Sequence, residues 1–290
     1  MASVNGLLVL DKPGGITSRT AVNRVQKWFP RGTRIGHAGT LDPLATGVLV
    51  LCIGSATRLM EFVQDQTKTY RAGILLGATS DTDDTDGIIT AHLNPEVPDR
   101  SAIERALGAF LGDIQQVPPA YSAAHVDGRR AYALARKGRE FELQPRTVTV
   151  LRIDIEKFEY PHLDLVVTCG KGTYIRSIAR DLGAALRCGG LISSLRRTAI
   201  GKFTEAEVVM LDKPPVDVHQ HLLPAWRAVQ ETQPIAISPD DAKKLRYGQS
   251  IGNAFGCVEP CAVVDDAGDF VALVTPADGR LKPLKVFGVG

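Results

Sequence analysis

A single aspartate, Asp42, has the local sequence in this chain that best suits a nucleophile. It lies in the glycine-rich run 36–49, whose glycines let the backbone turn tightly and approach a ligand closely. Pro43 follows it and biases Asp42 away from helix. The apolar run 48–53 predicts a buried strand, so a stiff loop carries the carboxylate against the core. Two interpretations stay open: a nucleophile, or an Asx-type turn in which Asp42 accepts local backbone N–H groups.

Residues 169–183 contain a second set of residue types that could take part in chemistry. In this segment a glycine turn is followed by the predicted start of a helix. Lys171 lies in the turn, and a lysine beside a helix start favours anion binding, although the spacing of a Walker motif is absent. Arg176 follows in the first turn of the helix and has the fork geometry to hold a carboxylate ionised. The alternative is a surface arginine paired with Asp181 or Glu142.

The loop at residues 81–87 is acidic and threonine-rich, so calcium binding is one interpretation to test. Counted from Asp81, an EF-hand requires glycine at its sixth position and glutamate at its twelfth, where this chain has Asp86 and His92. We therefore predict a solvated turn. Because the sequence shows no metal-ligand spacing and no nucleotide-binding motif elsewhere, we expect neither a metal nor a cofactor.

Positive charge is concentrated in residues 121–146. Arg129 and Arg130 belong to this segment, and Tyr121 and Tyr132 are interleaved with its basic side chains. This combination suits contact with RNA phosphates and stacking on bases. The alternative is a solvated helix face, which charge runs often form.

The composition is that of an ordinary globular protein, with 290 residues, 44% hydrophobic residues and a net charge of +2. Five cysteines form an odd set, which favours a reduced protein over a disulfide scaffold. The first residues lack the features of a signal peptide, and no apolar run approaches the ~20 residues of a membrane helix. We expect a cytoplasmic protein.

The hydrophobic pattern predicts a mixture of strands and helices around the two candidate sites. One helix is expected to be capped by Thr17 or Ser18, and another by Ser101, with Glu104 completing a capping box. Strands are predicted at residues 6–10, 48–53, 69–76, 147–158, 163–169, 261–264 and 270–274, and further helices at 173–186, 222–231 and from 237. We place a domain boundary between residues 231 and 232, which divides a large domain, 1–231, from a small module, 232–290.

Taken in order along the chain, these motifs resemble those of the pseudouridine synthases, in particular the bacterial TruB type, which isomerises the uridine at position 55 in the T loop of tRNA. The resemblance covers most of residues 6–205 and is carried by residues 12–18, 36–49, 70 with 77–87, and 171–183. It implies an α+β fold with a central mixed, mostly antiparallel β-sheet flanked by helices. It also implies a small, β-rich, PUA-like C-terminal module.

The resemblance further implies a role for each candidate residue. Asp42 would be the catalytic nucleophile and Arg176 its ion-pair partner, while Tyr70 would stack on the target uracil and assist proton removal at C5. Base flipping would be required to expose the glycosidic bond. The remaining roles are substrate binding by His37, Tyr174, Leu195 and Lys171, structural support by Lys12 and Pro13, and RNA contact by Arg129 and Arg130 in a thumb at about 121–146.

The partner implied by the resemblance is tRNA, contacted at its T loop and acceptor stem by a monomer that needs no cofactor, membrane or other protein. Three alternatives are open: an RNA-binding or tRNA-folding protein whose modification activity is secondary, a guided ribonucleoprotein synthase, and a base-specific glycosylase. The absence of long lysine-rich tails disfavours the guided synthase.

Overall fold

The computed structural model describes residues 4–122, 124–126, 129–135, 138, 141–229 and 233–288. Strands dominate this part of the chain. In order they are β1 (Gly6–Lys12), β2 (Ile35–His37), β3 (Thr46–Ile53), β4 (Lys68–Leu76), β5 (Ala78–Ser80), β6 (Ile89–Ala91), β7 (Gly112–Gln116), β8 (His125–Val126), β9 (Arg129–Arg130), β10 (Arg146–Glu159), β11 (His162–Cys169), β12 (Gly190–Ile200), β13 (Phe203–Thr204), β14 (Val209–Met210), β15 (Ile235–Ala236), β16 (Ile251–Gly252), β17 (Cys261–Val264), β18 (Phe270–Ala277) and β19 (Arg280–Val286).

Six α-helices accompany the strands in the described residues. They are α1 (Ser18–Val25), α2 (Met60–Asp65), α3 (Arg100–Gly108), α4 (Ala131–Ala135), α5 (Ile175–Ala185) and α6 (Pro239–Arg246). Thr17 caps α1 as predicted, because its hydroxyl accepts the Thr20 N–H at 3.0 Å. The predicted cap of α3 was wrong: Asp99 accepts the Ala102 N–H at 2.7 Å, so the helix begins one residue before Ser101.

The strands of the large domain form one ten-stranded mixed sheet, which confirms the predicted fold class. Its main path runs β14-β1-β3-β12-β4-β11-β10-β7, with β2 beside β3 and β13 beside β12. Among the described strands of this sheet, only the pairs β1/β14 and β3/β12 are parallel. The two strands predicted at residues 147–158 and 163–169 do pair antiparallel, as β10 and β11. The centre of the sheet is therefore β3, β12 and β4.

Strand β3 is apolar along its whole length because both faces of the sheet are covered there. Leu49, Leu51 and Ile53 face a core cluster that includes residues of α1 and α5. The alternate residues Val48, Val50 and Cys52 face a second cluster on the other side. This arrangement explains why the sequence shows a continuous apolar run at 48–53 rather than an alternating one.

The C-terminal residues form a separate five-stranded sheet in the order β15-β17-β18-β19-β16. The predicted hairpin of residues 261–264 and 270–274 is present as β17 and β18. Phe287 follows β19, stacks on Phe270 at 4.5 Å between ring centroids and is buried in the second core cluster of the large domain. The Arg58 guanidinium also donates to the Val286 carbonyl. The small sheet is therefore packed against the large domain.

The helix predicted at residues 222–231 was wrong. The structure has two short 3₁₀ turns, Val218–His221 and Ala225–Ala228, on either side of Pro224. Proline lacks a backbone N–H and disfavours helix at the preceding residue, which explains the interruption. The predicted domain boundary falls on residues 230–232, which lie outside the described part of the chain.

Two helical glycines provide a test of how tightly α5 packs on β12. A Cβ atom at Gly183 would lie 2.1 Å from the Gly190 backbone nitrogen, whereas one at Gly108 in α3 would meet nothing within 4 Å. Gly183→Ala is therefore expected to lower the free energy of unfolding by about 2 kcal/mol or more. Gly108→Ala is expected to leave it unchanged or raise it by up to about 1 kcal/mol. Denaturant unfolding measures both, and equal stability of the two variants would contradict this packing.

Candidate active site

The loop that carries Asp42 connects β2 to β3 and is fastened to the core by buried polar side chains. The Ser18 hydroxyl accepts the Leu41 N–H at 2.8 Å and donates to the Leu41 carbonyl at 3.1 Å. The Lys12 ammonium donates to the Pro43 carbonyl at 3.3 Å. Hydrogen bonds from these two side chains to the backbone on both sides of Asp42 therefore fix its position.

Lys12 is fully buried at the end of β1, although lysine is rarely buried. Its ammonium also donates to the carbonyls of Pro13 and Ile16, at 2.8 and 2.7 Å. Burial lowers the pKa of Lys12 to about 8, and the nearby Asp42 carboxylate partly opposes this change. Lys12 and Pro13 thus lie where the predicted structural support is needed, beside the Asp42 loop.

Arg176 lies at the start of α5, only 4% exposed, and its Nε lies 3.0 Å from Asp42 Oδ2. The other end of the guanidinium donates to the Thr82 carbonyl at 2.9 Å and the Tyr121 carbonyl at 3.0 Å. The ion pair expected from the resemblance is present. The alternative of a surface arginine was wrong, because Asp181 pairs instead with Arg180, at 2.8 Å.

The acidic loop 81–87 is not the solvated turn that we predicted. Asp84 is buried and its Oδ2 lies 3.2 Å from Arg176 Nη1. Asp83 pairs in the same way with Arg180, at 3.1 Å. The loop folds inward because two arginines, one helical turn apart on α5, require buried counter-charges. The linear sequence carries no pattern that pairs these arginines with the loop 81–87.

The Asp42 carboxylate is one third exposed, and the exposed part faces a cavity. Burial raises the pKa of Asp42, the Arg176 guanidinium opposes this by Coulomb attraction, and the Asp84 carboxylate adds to the increase. Among the described residues, the Asp42 side chain accepts no hydrogen bond from a local backbone N–H, which argues against the Asx-type turn. The carboxylate is held by a cation rather than by its own loop.

The cavity has a volume of about 620 Å³ and opens beside the central strands. Six of the predicted residues line it: Asp42, Tyr70, Lys171, Tyr174, Arg176 and Leu195. Tyr70 lies on β4 and is 9% exposed, and burial raises the pKa of its phenol while the Arg197 guanidinium opposes the increase. Lys171 is exposed and pairs with Asp65 at 2.8 Å, so its ammonium faces solvent at the cavity rim.

The structure separates the other predicted residues from this group. His37 lies at the end of β2 and is not among the residues that line the cavity; burial lowers its pKa. Arg129 and Arg130 form β9, and their side chains lie outside the described part of the structure.

Sequence reasoning also missed Gln116, a buried residue at the end of β7. Its amide donates to the Tyr174 carbonyl at 3.1 Å and accepts the Tyr174 N–H at 2.8 Å. This pair of hydrogen bonds fixes the backbone of the residue that precedes α5. A glutamine carries no pattern that would have indicated such a role.

Among the residues that the structure describes, no group of three or more His, Cys, Asp and Glu side chains is arranged to hold a metal ion. No helix in the same residues has the length and apolar character required to cross a membrane.

Comparison with solved structures defines the class of fold. The chain resembles one from a Cbf5–Nop10–Gar1 complex, with a TM-score of 0.71 and 24% identity over 98% of this chain and 84% of that one. It is also similar to a chain of an H/ACA RNP bound to a substrate RNA containing 2'-deoxyuridine, with a TM-score of 0.69 and 23% identity over 98% and 85% of the two chains. At this level of identity the likeness establishes a shared fold.

The sequence comparisons identify the family. Residues 27–175 match the N-terminal domain of TruB family pseudouridylate synthases, 176–214 a tRNA pseudouridylate synthase B C-terminal domain, and 234–288 a tRNA pseudouridine synthase II C-terminal domain. Curated relatives named tRNA pseudouridine synthase B are 41% identical in Caulobacter sp. (strain K31) and 38% in Pseudomonas aeruginosa (strain UCBPP-PA14), each over 98% of this chain and 96% of the relative. The chain belongs to the TruB family of pseudouridylate synthases.

The charge arrangement around Asp42 can be tested by titration of its carboxyl group. Arg176→Gln removes the opposing cation and is expected to raise the pKa of Asp42 further, whereas Asp84→Asn removes a like charge and is expected to lower it. NMR of protein with ¹³C-labelled aspartate carboxyls measures both changes, with Asp42→Asn to assign the resonance. Shifts of the same sign in the two variants would contradict the arrangement.

Proposed function

We propose that this chain converts uridine 55 in the T loop of tRNA into pseudouridine, with Asp42 as the nucleophile. The observation that carries the proposal is the Asp42 carboxylate, which is held at 3.0 Å from a buried arginine and faces an open cavity. The curated relatives named tRNA pseudouridine synthase B support tRNA as the substrate.

In the proposed reaction, Asp42 acts as an ionised carboxylate. The Arg176 guanidinium opposes the effect of burial and so favours this form. Asp42 initiates cleavage of the bond between ribose C1′ and N1 of uracil, the base rotates within the cavity, and C1′ is rejoined to C5. The C5 proton is then lost and N1 gains a proton, so the product is an isomer of the substrate.

The remaining side chains of the cavity hold the flipped nucleotide. Tyr70 stacks on the uracil and takes the C5 proton, while Tyr174 and Leu195 form apolar walls of the cavity. His37 occupies the space that the flipped nucleotide leaves in the T loop. The fixed backbone of Tyr174, bonded twice to Gln116, limits the positions that its ring can take.

Contacts with the rest of the tRNA extend outside the cavity. Lys171 at the rim, and Arg129 and Arg130 in the thumb at about 121–146, are proposed to contact backbone phosphates of the T loop. A catalytic domain at 1–231 and a PUA-like module at 232–290, which contacts the acceptor stem, complete the proposed organisation. The enzyme acts as a monomer in the cytoplasm, where its substrate is found.

Replacement of Asp42 tests the proposed nucleophile and separates the enzyme from an RNA-folding protein. Asp42→Asn is expected to reduce pseudouridine formation on an unmodified tRNA transcript by more than about 10⁴-fold. Binding of the tRNA is expected to persist, because the RNA contacts remain. The control is Asp212→Asn, which removes an exposed carboxylate of a surface ion pair with Arg24. Persistent activity of Asp42→Asn would contradict the assignment.

The proposed phosphate contacts predict a change in the salt dependence of binding. Arg130→Ala is expected to weaken tRNA binding and to reduce the slope of log K against log salt concentration by about 1. The matched control is Arg100→Ala, which removes an exposed arginine paired with Glu104 on α3. Fluorescence titration at several salt concentrations measures both slopes, and an unchanged slope for Arg130→Ala would exclude a phosphate contact.

A further inference from the structure

Arg197, on β12, is a buried cation that lines the same cavity as Asp42 and Tyr70. Its side chain is 1% exposed. Its Nε donates to the Val48 carbonyl at 2.8 Å and its Nη2 to the Gly39 carbonyl at 3.0 Å. The guanidinium therefore lies between β3 and the loop that leads to Asp42, at a position fixed by two hydrogen bonds.

The charge of Arg197 has no carboxylate partner within 4 Å among the residues that the structure describes. Its neighbour on β12, Arg196, pairs with both Asp11 and Glu205. Arg176, the other arginine of the cavity, pairs with two carboxylates as well. A buried cation without a counter-ion is costly, and hydrogen bonds to neutral carbonyls offset the cost only in part. The uncompensated charge of Arg197 therefore favours negative charge on a group in this part of the cavity.

The positive charge affects other buried groups around the cavity. Burial lowers the pKa of Lys12 and of Lys68 to about 8, and the charge of Arg197 contributes to both changes. Lys68, like Arg197, bonds to backbone carbonyls, those of Gln64 and Gln66. Additional negative charge in this region would be stabilised by all three cations.

Tyr70 lies opposite Arg197, because the two are cross-strand neighbours in the pairing of β4 with β12, and both line the cavity. Burial raises the pKa of the Tyr70 phenol, and the charge of Arg197 opposes this increase. The other charged or titratable groups that face the phenol, Cys169 on β11 and Asp42 in its loop, act in the opposite direction. Arg197 is thus the group that favours negative charge on the Tyr70 oxygen.

We propose that Arg197 is a positioning residue that stabilises the phenolate form of Tyr70, the base that removes the C5 proton. This inference rests on the role given to Tyr70 in the proposed function. The phenolate oxygen takes the proton from C5, the electron pair of that C–H bond re-forms the C5–C6 double bond of the uracil ring, and the π pair of the C6–N1 double bond moves to N1. N1 takes up a proton, and Tyr70 is left as a neutral phenol.

The test compares Arg197→Gln and Arg197→Lys with the wild type in single-turnover pseudouridine formation on a tRNA transcript. Arg197→Gln removes the charge and is expected to slow the reaction by about 100-fold, with tRNA affinity retained. Its rate is also expected to keep rising towards higher pH, where the phenolate forms without the cation. Arg197→Lys retains the charge and is expected to be intermediate. The control Arg196→Gln changes the adjacent arginine, which pairs with Asp11 and Glu205, and should retain the wild-type rate.

A second substitution distinguishes stabilisation of the phenolate from mere support of the loop. Replacing Tyr70 by 3-fluorotyrosine lowers the pKa of the phenol, so it is expected to restore part of the rate lost in Arg197→Gln. A loss that neither pH nor fluorotyrosine changes would mean that Arg197 only supports the Gly39 backbone, and would overturn the inference.

The Tyr70→Phe variant separates failure of this inference from failure of the proposed function. If Tyr70→Phe is inactive while Arg197→Gln reacts at the wild-type rate, the inference alone is wrong. If Tyr70→Phe is fully active, the role of Tyr70 in the proposed function is wrong and the inference fails with it.

Discussion

The buried guanidinium of Arg176 is the interaction on which the rest of the site depends. It contacts Asp42 from one loop, Asp84 and the Thr82 carbonyl from a second, and the Tyr121 carbonyl from a third segment. A buried cation requires nearly all of its donors to be satisfied, so these three segments must converge on α5. Loss of either carboxylate leaves the charge of the buried guanidinium only partly compensated. The site is thus assembled around one arginine.

The backbone around that arginine is held by a second set of buried polar side chains. Lys12 and Ser18 fix the Asp42 loop, Gln116 fixes Tyr174, and Arg197 joins the Gly39 carbonyl to β3. All of these side chains extend from regular elements or lie directly beside them. A loop therefore presents Asp42, while Tyr70 and Arg176 extend from β4 and α5, and the sheet and its helices determine where the loop lies. An open cavity with a fixed carboxylate and a surplus of cations is suited to a polyanionic substrate.

Much of the scaffold could be predicted from the sequence, because strands such as β3 and helices such as α1 bury continuous or periodic apolar residues. The position of Asp42 on a rigid loop against the core was predictable, because glycine and proline residues restrict the backbone there. The buried charges Asp84 and Arg197 could not be predicted in the same way. Charged residues in a linear sequence predict solvent exposure. Only the fold shows that Arg176 on α5 reaches Asp84, and that Arg197 donates to buried backbone carbonyls. The cap of α3 was missed for a simpler reason: Asp99 and Ser101 are both good caps, and the hydrogen bond decides between them.

The most direct test of the account is to incubate the purified protein, with no other protein or RNA, with an unmodified tRNA transcript and to map pseudouridine at single-nucleotide resolution. If the cavity around Asp42 contains all the groups that the reaction requires, pseudouridine forms at position 55 in the T loop and the transcript remains intact. Absence of pseudouridine, its formation only after a guide RNA or a second protein is added, or release of free uracil would contradict the account.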